Sequence, residues 1–454
     1  MKTILFIIAE FPPYNCAGVY RPLRFMNACV ENGYRVVVVT FESSIWPKDK
    51  IDEKTMQLVH NDIIIYRIPM KDIALMERNK FMKFVNTYFF VTDKFARAWK
   101  NHLFNQLPII IKQYQPCQIV TSIPPYSIAN LVKKISAKFQ IPFILDQRDA
   151  WSQLCISPNG TYFHYLKKLH LEKTVFESAS AILSVTPQLI EVLKRTQPSI
   201  DKKKFYNIFN SFKVNDFNYH SMIEFLPSPQ YEKINIGYVG TFYFDKQAWD
   251  KKNTPWYKKK LTHNLHYFPI KEDWLYRTPY YFLKTIQNLI ERDKTFEKKI
   301  VFHYVGSDGA TVNALVKELQ LNISIVNHGY CTQQEVNSLQ SSFDLLLATS
   351  EKVIDNDHYC LPSKLFSYIQ SNKPIIGFVT NGIEKEFIEK SGAGLTFNPD
   401  NIDESANKLE QLFKEGFRSS LNKEYLNLFS NQSTNAQFIQ ILENSIQKNS
   451  QISN

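Results

Sequence analysis

The sequence predicts an α/β fold made of two Rossmann-like domains whose parallel sheets face a shared cleft. Short apolar runs alternate with helical patterns twice along the chain, once on each side of a polar, proline-containing stretch at 221–233. The length of 454 residues also exceeds one ordinary hydrophobic core. It suits two domains of about 200 residues each.

The first half opens with a β-α-β unit. Residues 3–9 form a continuous apolar run, typical of a strand that is buried on both faces. A proline-containing loop, a helical pattern that ends at Gly33 and a valine-rich strand at 35–41 follow. Later strands are predicted at 119–122, 143–146 and 181–185, and later helices at 126–139, 164–179 and 187–195.

The alternation restarts after the polar stretch. The predicted strands are 234–239, 300–305, 322–326, 343–348 and 374–379, and the predicted helices are 280–293, 310–320, 332–341, 363–371 and 403–415. Sheets of this kind bind ligands beyond the carboxyl ends of their strands. We therefore expect an N-terminal domain at 1–220, a C-terminal domain at 221–429, a ligand cleft between them and a polar tail at 446–454.

The composition indicates a globular protein with an anionic partner. Hydrophobic residues make up 44% of the chain, charged residues make up 21%, and the net charge is +11. No arginine-rich run, zinc-finger spacing or RNP-like motif is present, so we predict no nucleic-acid partner. The six cysteines are scattered, as expected for reduced thiols, and the apolar run at 4–9 is too short for a signal sequence. The expected location is cytoplasmic.

Residues 11–21 are the first of four motifs that follow predicted strands. Gly18 would allow the backbone to approach a ligand, and the start of the following helix favours an anion. Arg21 can add a bidentate contact to a phosphate or carboxylate. The alternative is a turn stiffened by proline, with Arg21 in solvent.

The second motif, L-D-Q-R-D-A-W at 145–151, suits an acceptor site. It places Arg148, Asp149 and Trp151 just after a strand. Asp149 is the candidate for orienting or deprotonating a hydroxyl group, and Trp151 could stack on a sugar ring. The alternative is an Arg–Asp pair that only holds the loop.

The third and fourth motifs suit a diphosphate. In G-Y-V-G-T-F-Y at 237–243, Gly240 and Thr241 can present backbone amides to phosphates. In H-Y-C-L-P-S-K-L-F-S-Y at 358–368, Pro362 suits the first turn of a helix, where Ser363, Lys364 and unpaired amides would form an anion site. Such a site stabilises the charge that develops on a leaving nucleoside diphosphate. The alternative is a surface lysine at a helix start.

Together and in this order, the four motifs resemble those of glycosyltransferase family 4 and related GT-B enzymes of bacterial surface-polysaccharide synthesis. The resemblance covers residues 1–440. It implies a GT-B fold and transfer of a sugar from a UDP- or GDP-linked donor to a glycan or lipid-linked acceptor. It also implies no cofactor, no bound metal, retention of anomeric configuration, and a last helix near 430–445 that returns to the first domain.

The resemblance also assigns roles to individual residues. R-T-P-Y-Y-F-L at 277–283 matches what the family places directly after G-T-F-Y, so 244–276 is read as an insertion. Arg277 is then the diphosphate-binding cation beside Lys364. The donor-binding candidates are Gly18, Gly240, Thr241, Phe242, Gly306, Tyr330, Pro362, Ser363, Leu365 and Ser367. The acceptor-side candidates are Arg21, Arg148 and Trp151.

One position departs from the family pattern. Ser367 stands where the family has a glutamate that holds the donor ribose, and Tyr359 stands where an earlier acid is often found. Glu351, or an acid of the D-N-D stretch at 355–357, could replace the missing carboxylate. The departure leaves open a nucleotide-sugar-binding protein without turnover. A sugar-nucleotide epimerase is disfavoured because no pair of acid and base residues can be placed.

Two segments suggest contact with an anionic membrane surface. Residues 74–104 mix aromatic and basic side chains, and the insertion adds Trp249, Trp256 and Tyr257 among its lysines. Peripheral association with the inner face of the cytoplasmic membrane would suit a lipid-linked acceptor. The alternative is a helix that packs on the core and has one solvated face.

Overall fold

The computed structural model describes residues 1–71, 79, 93–153, 159–212, 222–227, 233–246, 249–250, 254–259 and 264–452. It confirms the predicted α/β class. The chain separates into two compact units. The first unit comprises Met1–Ser211, Lys260–Pro269 and Asn431–Asn454, and the second comprises Phe212–Lys259 and Ile270–Ser430.

The first unit is built on a seven-stranded parallel sheet of order β3-β2-β1-β4-β5-β6-β7. All residues of β1, β4, β5 and β6 are buried, which explains the largely apolar sequences of β1 and β6, while β4 and β5 also bury polar residues such as Gln118 and Asp146. The strands are β1 (Thr3–Ile7), β2 (Arg35–Phe41), β3 (Ile64–Ile68), β4 (Gln118–Ile123), β5 (Phe143–Gln147), β6 (Ala181–Ser184) and β7 (Phe205–Asn207).

Helices follow these strands in the first unit. They are α1 (Ala17–Glu31), α2 (Phe95–Tyr114), α3 (Ser127–Phe139), α4 (Tyr162–Ser178) and α5 (Pro187–Thr196), with short 3-10 turns at Ser43–Ile45, Lys48–Lys50, Glu53–Leu58 and Lys202–Lys204. Local signals set several ends. Thr186 caps α5 by accepting a hydrogen bond from the amide of Leu189, and Pro187 occupies the first helical position. Thr161 caps α4 in the same way.

The second unit has a six-stranded parallel sheet of order β12-β11-β9-β13-β15-β16. Two antiparallel pairs, β8 with β17 and β10 with β14, accompany it. The strands are β8 (Met222–Phe225), β9 (Ile234–Val239), β10 (Glu272–Asp273), β11 (Ile300–Val305), β12 (Ser324–Gly329), β13 (Leu345–Thr349), β14 (Lys352–Val353), β15 (Ile375–Phe378), β16 (Gly394–Phe397) and β17 (Phe417–Ser420).

Helices pack against this second sheet, and together they form a hydrophobic core that is rich in aromatic residues. They are α6 (Tyr280–Arg292), α7 (Phe296–Lys299), α8 (Gly309–Glu318), α9 (Gln333–Ser342), α10 (Lys364–Gln370), α11 (Ile383–Ser391), α12 (Ile402–Glu415) and α13 (Lys423–Asn427), with 3-10 turns at Trp256–Lys258 and Trp274–Arg277. Phe282 of α6 contacts Phe302 and Phe378, with ring centroids 5.5 Å apart in both pairs. The buried face of α6 thus holds the strands together.

The last helix, α14 (Asn431–Ile452), belongs to the first unit. Its Phe438 stacks on Phe25 of α1 with centroids 4.1 Å apart. Ser445 donates a hydrogen bond of 3.1 Å to the side-chain carbonyl of Gln118. The helix runs on to Ile452, and Ile446 is buried in the core, so apolar contacts extend helical structure into the expected polar tail.

Part of the predicted insertion also lies in the first unit. Tyr267 forms a β-bridge with Asn159, and its ring contacts the rings of Tyr162 and Tyr165 at 4.9 and 4.8 Å. These contacts explain why 260–269 groups with the first unit, whereas the sequence analysis assigned all of 244–276 to the second domain. Among the described residues, no helix is sufficiently long and apolar to cross a membrane.

Candidate active site

The two predicted diphosphate-binding cations lie in the second unit, beside the carboxyl ends of its strands. Arg277 ends the 3-10 turn Trp274–Arg277, and Lys364 is the first residue of α10. The hydroxyl group of Thr349, the last residue of β13, donates to the backbone carbonyl of Arg277. The central strand therefore fixes the position of this cation.

Arg277 is oriented by one carboxylate and two aromatic rings. Its Nη1 donates to Oε2 of Glu351 at 2.9 Å. Its guanidinium carbon lies 5.1 Å from the ring centroid of Tyr243 and 5.3 Å from that of Trp274, within the range of cation–π attraction. The side chain is only partly buried.

Lys364 sits over a buried tyrosine. Its Nζ donates to the hydroxyl oxygen of Tyr238 at 2.9 Å and lies 4.0 Å from the centroid of that ring. Burial lowers the pKa of Lys364 to about 7; Glu384 opposes this shift, and the positive charge of Arg277 adds to it. The two cations are therefore electrostatic neighbours, and an anion bound beside them would stabilise both charges.

A buried ionic chain continues from Arg277. Nε2 of His358 lies 3.1 Å from Oε1 of Glu351, and its Nδ1 lies 3.6 Å from Oε2 of Glu384. Burial alone would lower the pKa of His358, but Glu351 and Glu384 raise it. Burial alone would raise the pKa of Glu351, but His358 and Arg277 hold it well below its usual range. His358 therefore lies between two carboxyl groups that both favour its protonated form.

Neither His358 nor Glu384 was predicted from the sequence to belong to the site. His358 opens the fourth motif, and its backbone amide donates to Asn381 just before α11. Glu384 lies in the first turn of α11, where a carboxylate is favoured by the helix dipole. The available signal was an acid two residues after Gly382, in the first turn of a helix, and this signal alone does not reveal a histidine partner.

Gly240 of the third motif fits tightly against Gly306, which follows β11. A side chain at Gly306 would place its Cβ 2.4 Å from the carbonyl oxygen of Gly240, which has a φ of +124°. The hydroxyl group of Tyr304 donates to that same oxygen at 3.0 Å. Thr241 follows this fixed turn. Glycines are required here because the two backbones approach each other closely.

Phe242 and Leu365, both predicted to bind the donor, have fully buried side chains. The ring of Phe242 packs on Tyr238 with centroids 4.6 Å apart, and its amide donates to Asp308 at 2.7 Å. Leu365 points into the protein from the first turn of α10. The local pattern did not distinguish these core positions from ligand-facing ones, and the side chains of both residues are closed to a donor.

The remaining donor-binding candidates lie at loop ends. Tyr330 is almost fully exposed and follows Gly329, whose φ of +67° closes the turn after β12. Pro362 and Ser363 precede α10, and Ser363 is exposed. Tyr330 and Ser363 are thus open to solvent within the second unit, whereas Pro362 is half-buried.

Ser367 is held by protein groups in this structure. Its hydroxyl donates to the carbonyl of Lys364 at 2.8 Å and accepts from Nε2 of Gln340 at 3.3 Å. Of the suggested replacements for the missing acid, Glu351 is engaged by Arg277 and His358. Tyr359 donates to Glu272 at 3.4 Å. Within the described parts of the chain, no group of three or more His, Cys, Asp or Glu could hold a metal ion.

Arg21, predicted on the acceptor side, is buried inside the first unit. It is 5% exposed, and its partner Asp146 is 0% exposed. Nε donates to Oδ1 of Asp146 at 2.9 Å, and Nη1 donates to the carbonyl of Ile208 at 2.7 Å. Ser122 donates to the same carboxylate at 2.7 Å. This arrangement corrects the expected ligand contact, because the guanidinium joins α1 to β5 and the loop after β7.

Gly18 lies against a second ion pair. Nη2 of Arg148 is 2.7 Å from Oε2 of Glu10, and it also donates to the carbonyl of Pro124 at 2.6 Å. A Cβ at Gly18 would lie 1.8 Å from that carboxylate oxygen and 2.1 Å from Nη1 of Arg148. Gly18 thus makes room for the Glu10–Arg148 pair within the first unit.

Asp149 and Trp151 differ in accessibility. Trp151 is buried and stacks on Tyr126 with centroids 5.7 Å apart, so its ring is closed to a sugar and the expected stacking is corrected. Asp149 is exposed, although the surrounding protein raises its pKa by desolvation and Arg148 opposes that shift. Nearby, Glu172 binds the amide and hydroxyl of Ser152 at 3.1 and 2.6 Å and fixes the end of this loop.

Comparison with known proteins found one matching family model. The family model described as glycosyl transferases group 1 matches residues 276–415, the segment that contains Arg277 and Lys364. No curated protein matches the chain.

Solved structures with a similar fold cover nearly the whole chain. HepE from Anabaena, solved with UDP, has a TM-score of 0.51 at 12% identity, with 100% of each chain covered. The lipopolysaccharide outer core galactosyltransferase WaaB has a TM-score of 0.56 at 12% identity, covering 97% of this chain and 99% of its own. The catalytic domain of starch synthase IV from Arabidopsis thaliana, bound to ADP and acarbose, has a TM-score of 0.50 at 11% identity, covering 98% and 99%. At these identities the likeness defines the GT-B fold.

Proposed function

We propose that this GT-B glycosyltransferase, which carries a glycosyl transferases group 1 domain in its second unit, moves a sugar from a nucleoside diphosphate to a glycan or lipid-linked acceptor in cell-surface polysaccharide synthesis. A UDP- or GDP-linked donor is proposed. The UDP in the HepE structure supports the former.

The neighbouring cations Arg277 and Lys364 carry the proposal. As the bond between sugar and diphosphate breaks, negative charge grows on the departing phosphate oxygens. Two preorganised cations stabilise that charge more strongly than the charge of the intact donor. Glu351 keeps the guanidinium in place before the donor arrives. The low pKa of Lys364 means that diphosphate binding recruits a proton to this site near neutral pH.

We further propose retention of anomeric configuration without a bound metal. In that reaction the donor phosphate assists the incoming hydroxyl group, and the cations supply the charge stabilisation that a metal would otherwise provide. Asp149 is the proposed acceptor-orienting residue because it is exposed and its pKa is raised. These roles follow from the family resemblance together with the accessibility of the residues.

The proposed location is cytoplasmic, with peripheral contact to the inner face of the cytoplasmic membrane. Of the sequence features behind this expectation, 72–78 and 80–92 lie outside the described residues, as do Lys251, Lys252 and Lys260. Among those described, Trp256 and Tyr257 are exposed, and Nζ of Lys258 lies 5.9 Å from the ring centroid of Tyr257. Exposed aromatics beside a lysine suit a membrane interface.

The test is release of nucleoside diphosphate from a panel of UDP- and GDP-sugars, with and without membrane extract. Arg277→Ala and Lys364→Ala should each lose about 3 kcal/mol of transition-state stabilisation, roughly a hundredfold in rate. Arg418→Ala is the matched control, since Arg418 is an exposed arginine of the same unit, paired with Glu224 at 3.3 Å. If Arg277→Ala, Lys364→Ala and Arg418→Ala release nucleoside diphosphate at equal rates, Arg277 and Lys364 are not the diphosphate-binding cations.

A nucleotide-sugar-binding protein without turnover is the second candidate. Ser367 favours it, because a serine hydroxyl engaged by Lys364 and Gln340 binds a ribose more weakly than a carboxylate would. Donor binding measured by calorimetry, with no diphosphate release under any condition, would select this alternative. Restoring a carboxylate with Ser367→Glu should then strengthen donor binding.

A further inference from the structure

The N-terminal half of α4 exposes a face that combines apolar and basic side chains. Phe163 is 79% exposed, and Tyr162 and Leu166 are also exposed. Lys167 and His170 are exposed beside them. Residues three and four apart lie on one side of a helix, so these five form one continuous surface, which we call the α4 face.

A neighbouring segment enlarges the α4 face. The amide of Tyr267 donates to the carbonyl of Asn159 at 3.0 Å, and the reverse bond measures 2.9 Å. This bridge and the ring contacts with Tyr162 hold the segment against the start of α4. Leu265, two residues before Tyr267, is 55% exposed. The apolar area therefore extends beyond the helix itself.

Core packing does not account for these apolar residues. The buried positions of α4 are Glu172, Val175 and Phe176, all in its C-terminal half. A single exposed hydrophobic residue on a soluble protein is ordinary. A group of two aromatic rings and a leucine on one side of one helix marks an interaction surface.

The charge around the α4 face is positive. Residues 162–171 contain Lys167, Lys168 and two histidines and no acid. The acids of α4 lie further along: Glu172 is buried, and Glu177 is 3.7 Å from Nζ of Lys173. A second copy of this chain docking through the same face would bring like charges together. An anionic lipid surface would instead accept the rings at its interface and the lysines beside its phosphates.

We propose that the α4 face and Leu265 form the surface by which this protein docks on anionic phospholipid membranes. The inference deepens the proposed function and rests on it for its purpose, since a lipid-linked acceptor is held in the membrane. The docking surface lies on the first unit, and only Leu265 belongs to a segment, the insertion at 244–276, whose sequence suggested membrane contact.

The experiment measures co-sedimentation of the full chain with vesicles of phosphatidylcholine alone or mixed with phosphatidylglycerol. Phe163→Ser should weaken binding to the mixed vesicles about tenfold, because an inserted ring is lost. Lys167→Glu should weaken it about fivefold or more. Ile109→Ser is the control, since Ile109 is 67% exposed on α2 of the same unit and lies outside the α4 face.

Unchanged binding in Phe163→Ser and Lys167→Glu would overturn the proposal. Equal binding of the wild-type protein to both kinds of vesicle would also overturn it. The same holds if size-exclusion chromatography shows a dimer and Phe163→Ser dissociates that dimer. Circular dichroism checks that the variants fold. Diphosphate release without vesicles is measured on the same proteins and should match wild type. If neither the wild type nor any variant releases nucleoside diphosphate, the proposed function is contradicted. The vesicle binding would still decide whether the α4 face is the docking surface.

Discussion

Replacing Arg21 separates a structural role from a ligand-binding one. Arg21 and Asp146 are both buried, and their contacts include a 2.9 Å hydrogen bond between them. Arg21→Ala leaves the Asp146 carboxylate without its counter-charge in a region closed to water. Breaking a buried pair in this way costs about 3–5 kcal/mol of unfolding free energy. We therefore expect a large loss of stability in the first unit.

The assay is equilibrium urea denaturation of the full chain. Three tryptophans report on the first unit, and Trp99 and Trp151 are buried there. With an m-value of about 1–3 kcal/mol per M, the midpoint of this unit should fall by about 1 M or more. Lys173→Ala is the control, because Lys173 forms an exposed pair with Glu177. Its loss should change stability by less than about 1 kcal/mol.

A double-mutant cycle measures how strongly the charges of Arg21 and Asp146 depend on each other. Arg21→Met combined with Asp146→Leu removes both charges and should recover much of the stability lost in either single variant, since an apolar pair needs no counter-charge. The reasoning is refuted if Arg21→Ala keeps the wild-type midpoint yet abolishes sugar transfer. Arg21 would then contact a ligand, as the sequence first suggested.

Three further predictions concern the second unit. Folding lowers the pKa of Lys364 to about 7, below its value in the unfolded chain. Above about pH 7 the folded state therefore binds fewer protons than the unfolded state, and Lys364 makes the free energy of unfolding rise with pH. Lys364→Met should therefore raise the melting temperature at pH 7 while abolishing diphosphate release, and the stability gain should shrink towards pH 10. His358 has a raised pKa, so its stabilising contribution is complete at low pH and is lost as pH rises through the folded-state value. His358→Gln should cost about 3 kcal/mol or more at pH 6, and a urea series at increasing pH should show that the difference from wild type narrows as His358 loses its proton. An unchanged difference would mean that the imidazole is neutral throughout. Gly306→Ala should cost about 1–3 kcal/mol, because its Cβ would meet the Gly240 carbonyl at 2.4 Å. Wild-type thermal stability in that variant would show that the two turns separate easily.

Most of the sheet elements could be predicted because buried parallel strands have a simple sequence pattern. The predicted strands at 234–239 and 300–305 match β9 and β11 to the residue. The sequence analysis missed β3, whose residues are mostly only partly buried at the sheet edge, and the short pair β8 and β17. Edge strands lack the continuous apolar run that identifies a central one.

The site was predictable only where residues share a local motif. Arg277 and Lys364 each belong to a recognisable stretch, and both lie in the second unit, Arg277 at the end of a 3-10 turn and Lys364 at the start of α10. The chain from Glu351 through His358 to Glu384 depends on tertiary pairing, which no local spacing encodes. Arg21, Trp151 and Phe242 were assigned to ligand binding for the same reason. Their burial depends on elements that are distant in sequence, so a local motif does not show it.

The position of α14 has a consequence for biosynthesis. Phe438 and Leu442 complete the core of the first unit, although the ribosome adds them after the whole second unit. During synthesis, Phe25 of the first unit stays uncovered until α14 has been made. The second unit, in contrast, has its residues once Ser430 has been added. Domains of nascent chains generally fold in the order in which they emerge. Here that order is reversed, so a message cut short near its end would yield a chain with a finished C-terminal lobe and an open N-terminal one.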